Sequence, residues 1–450
     1  MARISIFPTG CQLDKRREKR AETPVKRAPA LAGATAVIAL CASLAFAATP
    51  KSACVACHSK VTPGIVEQYR AGKMSKVGVD CSTCHGSKHT RMTDAKLAQM
   101  PTAETCAQCH RQQFQRFQAG KHYLAWIAMT AMPMLTHQPT AVVGQGYKGC
   151  SACHKIGHKS AAEKAQYRYG NAECDSCHTR HSFRKSEALD PRACQTCHEG
   201  FDHPQWEMWS TSKHGTIWAI EGKNSKRAPT CQTCHMPGGD HMVMTSWGFL
   251  ALRLPEEDKA WNDDQVTILQ ALGVLDKNGK PTPRFEAVKA ANLARLSAAA
   301  FKEPRDRMMK ICSHCHSQSY AADQLGAGDQ VVKQSDRLMA EAIRTVRGLY
   351  DDGILQRPAN WTFAPDLLQF YEAKTTVEQH LYVMFMEYRM RTFEGAFHMN
   401  PDYMHWYGWA KMKEALRQIK DEASQLRAGH ASAAKPRSAA GPAHAVGKSK

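Results

Sequence analysis

The chain has almost no cysteine outside one recurring pattern. Sixteen of its 18 cysteines fall in Cys-x-x-Cys-His runs, and the other two, Cys11 and Cys41, lie within the first fifty residues. The rest of the chain has no thiols left over for a separate disulfide framework. Strand signals are scarce throughout. No stretch beyond residue 48 is long and apolar enough to cross a bilayer. Aromatic and basic side chains do not interleave as they do in nucleic-acid platforms, so a formal net charge of +19 does not by itself point to nucleic acid.

What is present is the same five-residue run eight times: Cys54/Cys57/His58, Cys81/Cys84/His85, Cys106/Cys109/His110, Cys150/Cys153/His154, Cys174/Cys177/His178, Cys194/Cys197/His198, Cys231/Cys234/His235 and Cys312/Cys315/His316. The spacing is that of c-type haem attachment. Two thiols three positions apart add to the two vinyl groups of one porphyrin, and the adjacent His becomes the proximal iron ligand. Zinc ribbons would use the same Cys-x-x-Cys pairs. They would not place a His after every pair in a chain where His is roughly one residue in twenty. The sequence thus predicts eight covalently bound haems, with His58, His85, His110, His154, His178, His198, His235 and His316 as proximal ligands.

The first 47 residues have the composition of an export signal. Lys15, Arg16, Arg17, Lys19, Arg20, Lys26 and Arg27 precede a small, apolar run from Leu31 to Ala47, and Ala45-Phe46-Ala47 forms an A-x-A cleavage site before Ala48. A cleavable signal peptide over 1–47 and a periplasmic protein follow as expectations. Bulky Leu40 argues against lipid attachment at Cys41. Eight basic and three acidic residues belong to this leader, leaving a formal excess of +14 after it. Sixteen haem propionates and eight ferric cores would bring that to about +6. The basic excess is mostly counter-charge for haem, and electrostatic docking of a redox partner stays open.

Residues 48–320 carry every haem run and little periodic apolar sequence, as expected where porphyrins form most of the core. Long helical patterns follow over 321–427. Val331, Leu338, Met339, Ile343, Val346 and Leu349 keep helical spacing, and Leu367 to about Phe393 and Tyr407 to about Leu426 read likewise, the last with Gly429 as a C-cap. An Ala/Lys/Pro/Gly-rich tail over 428–450 reads as disordered. The fold class predicted is all-α, a multihaem cytochrome c with a haem-packed core and a C-terminal bundle of long helices.

A shorter repeat lies between the haem runs. Tyr69-Arg-Ala-Gly72-Lys73-Met74, Phe117-Gln-Ala-Gly120-Lys121-His122 and Trp209-Ser-Thr-Ser212-Lys213-His214 each join an aromatic, a small residue, Lys and a potential iron ligand. Met in such a place is more often packing than ligation. Of the 22 His, eight are proximal and His430 and His444 sit in the tail. Seven six-coordinate haems need seven distal ligands, and the candidates are His89, His122, His137, His181, His214, His241 and one of His398 or His405, with His398 taken first. A buried or solvated structural His is the alternative at each.

The runs Asp202-His203-Pro204-Gln205-Trp206-Glu207-Met208-Trp209, Ser212-Lys213-His214-Gly215 and Cys231-x-x-Cys234-His235-Met236-Pro237 resemble those of the octahaem hydroxylamine oxidoreductases and, more distantly, the pentahaem cytochrome c nitrite reductases. So do Cys174-Asp-Ser-Cys177-His178-Thr-Arg-His181, Trp247-Gly-Phe-Leu-Ala-Leu-Arg-Leu-Pro255 and His398-Met-Asn-Pro-Asp-Tyr403-Met-His405-Trp406. The resemblance implies that the fourth site, Cys150/Cys153/His154, carries a five-coordinate catalytic haem, with Asp202 and His203 over its open face as acid/base groups. It implies hydroxylamine oxidation served by seven electron-transfer haems. Reduction of nitrite or hydroxylamine to ammonia at the same site, or electron transfer without catalysis, are the alternatives. In oxidising members a tyrosine from a neighbouring subunit is bonded to the catalytic porphyrin; Tyr388, Tyr403 and Tyr407 lie in the matching region, Tyr403 being the first choice. Implied partners are small nitrogen substrates (hydroxylamine, nitrite), a redox cytochrome or quinone-linked protein, and further copies of the chain, plausibly as a trimer; nucleic acid is not among them.

Overall fold

The computed structural model describes residues 52–130, 151–154, 156–166, 171, 173–200, 203–369 and 373–433. The signal segment 1–47, His137, Cys150, Asp202 and residues 434–450 lie outside them. The described residues are helical, with no strand among them and only two isolated β-bridges, Arg253 with Arg295 and Leu275 with Pro281. The all-α expectation holds. No helix among these residues is long and apolar enough to cross a membrane.

Two different interiors make up the fold. Before Met208, the buried apolar side chains among the described residues are Val66, Ala103, Trp126 and Met129 alone. Short helices such as Ala53–Val61, Cys81–His85, Ala103–Ala107 and Cys231–His235 carry Cys-x-x-Cys-His runs. So few buried apolar groups cannot offset the conformational entropy of ordering that much chain, so the apolar interior must be supplied by something other than polypeptide.

The second interior is conventional. Gln318–Asp351 is a helix of 34 residues, N-capped by Ser317, whose Oγ accepts from the Tyr320 N–H at 3.2 Å. It buries Ala321, Leu325, Val332, Met339, Ile343, Val346 and Leu349 on one face. Against it pack Lys259–Ala271, Met390–Phe397 and Ala410–Ala433. Gly328 lets Phe397 come close, since a Cβ there would stand 2.6 Å from its ring.

Three boundaries differ from the sequence reading. The apolar core does not begin after the last haem run: Leu250, Leu252, Ile268, Leu269, Leu272, Val274, Leu275 and Val288, from the interval between the seventh and eighth runs, belong to the same cluster as the C-terminal helices. Leu367 is buried but not helical; its N–H donates to the Ala271 carbonyl at 2.9 Å, and the helix starts at Thr376, where Thr375 and Glu378 form a capping box. At the C-terminus the helix runs through Gly429 to Ala433, so Gly429 is not its cap, and residues 428–433 are helix rather than disordered tail. An exposed Gly costs a helix only about 1 kcal/mol, too little to stop one already docked on the core.

A buried ion pair ties this second interior together. The Arg389 Nε and one terminal nitrogen donate to Asp336 Oδ1 at 2.9 and 2.6 Å, with both side chains fully buried. Trp261 Nε1 and Gln265 Nε2 donate to Asp336 Oδ2 at 2.9 and 2.7 Å, and Arg389 also donates to the Leu250 carbonyl at 2.8 Å. Arg389→Met would leave the Asp336 charge buried without its cation, and a loss of about 3–5 kcal/mol is expected on chemical denaturation. Removing the exposed Arg417–Asp421 pair, 2.7 Å apart, should leave the midpoint unchanged.

Candidate functional site

One helical turn brings each Cys-x-x-Cys-His run to one side. In the third, fifth, sixth and eighth runs the His N–H donates to the carbonyl of the first Cys, at 2.9 Å from His110 and 3.0 Å from His178, His198 and His316. Positions i, i+3 and i+4 of a turn share a face, so both thiols and the imidazole point the same way.

Opposite most of these imidazoles stands a second one. Ring centroids are 6.0 Å apart for His58 and His89, and 6.2 Å for His85 and His181, His198 and His122, His178 and His241, and His316 and His214. For His235 and His398 the distance is 6.4 Å. Two metal–nitrogen bonds of about 2 Å, with half an imidazole at each end, span about 6 Å, so each pair is spaced to hold one iron. His110 faces no imidazole among the described residues, and His137 lies outside them. His405 is exposed and stacks edge-on against Trp406 rather than facing a proximal His. In the short repeat, His122 and His214 face proximal rings.

The hydrogen bonds agree with this use. His58, His85, His89, His198, His235 and His398 all engage a partner through Nδ1: Thr62 Oγ1 at 2.7 Å, the Gln99 carbonyl at 2.8 Å, Asp94 Oδ1 at 2.7 Å, Gln205 Oε1 at 3.1 Å, and the Met244 and Glu394 carbonyls at 2.8 Å. An Nδ1 so occupied leaves Nε2 for a metal and fixes the ring's plane. Burial pushes His198 down to about 3 and His398 to about 4, and lowers His122, His178, His181, His214 and His235. These rings are neutral, the form that binds metal. The backbone N–H of Arg91, helped by His89 and Thr90, holds the Asp94 carboxyl at about 2, so an ionised acceptor faces His89.

The small residue of the short repeat has a structural cause. A Cβ on Gly72 would lie 2.6 Å from the Ser182 carbonyl oxygen, next to His181, and one on Gly120 would lie 2.1 Å from that of Met242, next to His241. In both, the chain bearing a distal His crosses directly over the glycine. Ser212 instead caps Lys213–Glu221, accepting from the Gly215 N–H at 3.3 Å.

The fourth run is arranged differently. His154 and His203 face each other at 5.6 Å, closer than any of the six pairs above, with planes 69° apart. The other side of His203 is covered by Phe249, stacked at 5.5 Å and 19°. Phe249 is held by its neighbours: Leu250 N donates to the Leu293 carbonyl at 3.0 Å, and a Cβ on Gly248 would come within 2.3 Å of that oxygen. Nothing in the sequence singles out Phe249, since only the fold places it beside His203. Tyr403 does not join this group within the chain. Its ring stacks on Tyr407 at 4.8 Å, and beside it Trp406 and Tyr407 are 61% and 53% exposed. Burial raises the Tyr403 hydroxyl, with Arg391 opposing and Glu207 adding to the shift.

Attachment cysteines of different runs lie beside one another. Cys54 is in electrostatic reach of Cys81, Cys84 of Cys106, Cys177 of Cys194 and Cys234 of Cys312. Cys106 meets Cys174, Cys194 meets Cys231 and Cys153 meets Cys197 within hydrogen-bonding reach. The runs therefore follow one another in space as first, second, third, fifth, sixth, seventh and eighth, with the fourth branching from the sixth.

The thiols are not all enclosed, which corrects the expectation of a core closed over every attachment site. Cys57, Cys109 and Cys315, the second cysteines of the first, third and eighth runs, are exposed, whereas the other attachment cysteines among the described residues are partly covered. The first and eighth runs stand at the two ends of the row and have a neighbouring run on one side only. Around Cys109 the cover is thin as well, because the helix Arg111–Gln118 that follows it buries none of its residues. Exposure does not conflict with attachment: a thioether needs the sulfur within bonding reach of a vinyl carbon, not a dry surrounding. Cys57, Cys109 and Cys315 are thus haem-binding residues at the surface rather than in the interior, and none of the described cysteines forms a disulfide.

The family described as "Seven times multi-haem cytochrome CxxCH" matches residues 77–243 and 283–360, more than half of the chain. The chain belongs to these multihaem cytochromes. Its Cys-x-x-Cys-His runs bind c-type haem covalently. It is 25% identical over 469 aligned positions to a probable nitrite reductase-hydroxylamine oxidoreductase fusion protein of Kuenenia stuttgartiensis, an alignment covering 83% of this chain and 51% of that protein. The chain thus spans about half the length of that curated relative. Among solved structures, the Kuenenia stuttgartiensis reducing HAO-like protein complex Kustc0457/Kustc0458 shares the fold with a TM-score of 0.64 at 24% identity, over 85% of this chain and 86% of that one. A hypothetical multiheme protein does so with a TM-score of 0.60 at 20% identity, over 84% of this chain and 96% of that one. The resemblance to the hydroxylamine oxidoreductases and the multihaem fold both stand on these comparisons.

In this multihaem cytochrome, His89→Ala should remove one low-spin haem signal from the electron paramagnetic resonance spectrum and add a high-spin one, with haem content unchanged. Retention of every low-spin signal would mean that His89 ligates no iron.

Proposed function

We propose that the chain is an exported, periplasmic octahaem cytochrome c oxidoreductase acting on small nitrogen compounds, oxidising hydroxylamine to nitrite at the haem attached through Cys150, Cys153 and His154. The observation that carries this reading is the placement of His203 beside His154, under Phe249 and next in sequence to Asp202. His89, His122, His137, His181, His214, His241 and His398 are then the distal ligands of the other seven haems. When bound, the haems supply one iron with a vacant position and seven one-electron carriers.

Oxidation of hydroxylamine with one water to nitrite releases four electrons and five protons, so proton handling is as necessary as electron removal. His203 is the side chain suited to it, because an unperturbed imidazole titrates near neutral pH. Phe249 fixes the ring's plane and keeps water from that face. Asp202, its neighbour in sequence, would hold the ring's orientation or share the proton. The fourth run's contact with the sixth, through Cys153 and Cys197, gives electrons a short way into the row of carriers. A neighbouring subunit in a homo-oligomer would supply Tyr403, which stacks on an exposed Tyr407 rather than joining its own chain's His154.

Two other readings each have an observation behind them. Reduction of nitrite or hydroxylamine at the same site accords with the relatives, one named a nitrite reductase-hydroxylamine oxidoreductase fusion and the other a reducing HAO-like complex. Electron transfer without catalysis accords with His203 facing His154 much as the distal rings face theirs.

His203→Ala separates catalysis from ligation. Turnover of hydroxylamine should fall by about two or more orders of magnitude with haem content and low-spin signals intact; loss of a low-spin signal instead would make His203 an axial ligand and the chain an electron carrier. For direction, the denatured wild-type protein should show two chains joined through one haem by intact mass, and Tyr403→Phe should abolish that species together with hydroxylamine oxidation. A single-chain mass with strong nitrite or hydroxylamine reduction would assign the reductive reaction.

A further inference from the structure

A cavity of about 270 Å³ lies apart from the His154–His203 pair, walled by Lys121, Leu124, Met242, Thr245, Arg295 and Arg307 among others. Its walls adjoin two of the imidazole pairs: Lys121 precedes His122 and Met242 follows His241. A third wall residue, Met244, accepts through its carbonyl from His235 at 2.8 Å.

The cavity gathers cations without the anions to match. Arg295 is only 4% exposed, and its partners are the Asn292 side chain and the Thr245 carbonyl at 3.1 Å, with its Nε left without a hydrogen bond. Lys121 donates to the Asn292 carbonyl. Neither touches a carboxylate. The one acidic wall residue, Glu303, is taken by Arg307 at 2.7 Å and stands mostly in solvent. Burying guanidinium and ammonium groups together, satisfied only by neutral acceptors, is costly unless an anion completes the site. The haems that these imidazole pairs are spaced to hold each carry two carboxylates.

We propose that Lys121 and Arg295 form the cradle of a haem propionate, with the open Arg295 Nε among its donors. The inference rests on the haem reading of the neighbouring His pairs. A guanidinium offers a carboxylate two parallel N–H donors, and Lys121 adds a point charge within the same cavity. Together they would bias that haem toward its reduced state, since a ferrous core carries one positive charge fewer than a ferric one and is less repelled by nearby cations.

The test uses the holoprotein, with haem content measured first so that failure to load haem is recognised separately. In an experimental structure of the loaded protein, a propionate oxygen should lie within salt-bridge distance of both Lys121 Nζ and the Arg295 guanidinium; both cations facing only solvent, a free anion or protein would overturn the proposal. In potentiometric titrations followed optically, Lys121→Gln and Arg295→Gln should each lower the midpoint of one low-spin haem and leave the others in place, and Lys121→Arg should restore it. Unchanged midpoints in both fully loaded glutamine variants would also overturn it. If a glutamine variant loses one haem, Arg295→Lys should regain the haem; loss there too, with the structure showing no propionate at the site, counts against the cradle.

Discussion

Two imidazoles that share an iron must face each other across about 6 Å, and no local turn of polypeptide can satisfy that distance alone. One ring of each pair comes from a Cys-x-x-Cys-His turn, which a single helical turn orients. The other arrives from elsewhere: His181 for His85, His241 for His178, His122 for His198, and His398 for His235. The course of the chain through the first two hundred residues is set by these meetings. Gly72 and Gly120 are small because stretches of chain carrying His181 and His241 lie directly on them, and Thr62, Asp94, Gln99 and Gln205 occupy the Nδ1 atoms so that the rings cannot turn.

The same constraint joins the two interiors. Near its end the helix Met390–Phe397 presents Glu394, whose carbonyl accepts from His398 Nδ1 at 2.8 Å and whose carboxylate accepts from Gln205 at 3.0 Å. Gln205 in turn accepts from His198 at 3.1 Å. Asn400 donates to the Met208 carbonyl at 2.8 Å. A conventional apolar core, held by Asp336 and Arg389, thereby positions groups that belong to the sixth and seventh runs. This division of labour is physically sensible, since the part of the molecule poor in buried side chains takes its rigidity from iron–nitrogen bonds and from a neighbour that folds by ordinary packing.

The attachment sites were legible in the sequence because thioether chemistry is local, and its spacing survives any arrangement of the rest. Their burial was not: that Cys57, Cys109 and Cys315 lie at the surface depends on which runs have neighbours, a long-range matter that five-residue spacing does not encode. Several facing rings could be named by elimination among the His, and the short repeat pointed to His122 and His214 in particular. Why its small residue is a glycine in two of three copies is apparent only with Ser182 and Met242 in place. The apolar segment from Leu250 to Val288 was less legible: lying between two haem runs, it looked like more of the same, and only its packing against Gln318–Asp351 assigns it to the other interior. Phe249 left no mark at all, because a single aromatic beside a glycine has no periodicity to read.

The fourth run shows how one geometry serves opposite ends. An imidazole facing an iron through a bond closes the metal, whereas the same ring at a similar distance, held short of bonding, leaves a space for a small molecule and a proton carrier at its edge. Seven of the described imidazole pairs are of comparable span, so distance alone does not divide them. What sets His203 apart is its surroundings: an aromatic ring stacked flat on it, a contact closer than the others, and a position at the side branch of the row of attachment sites rather than along it. A carrier in the middle of a row must pass electrons both ways and gains nothing from an open coordination position. A site at the end of a branch has one outlet, so electrons withdrawn there can only move on, which is the arrangement expected where chemistry, rather than conduction, takes place.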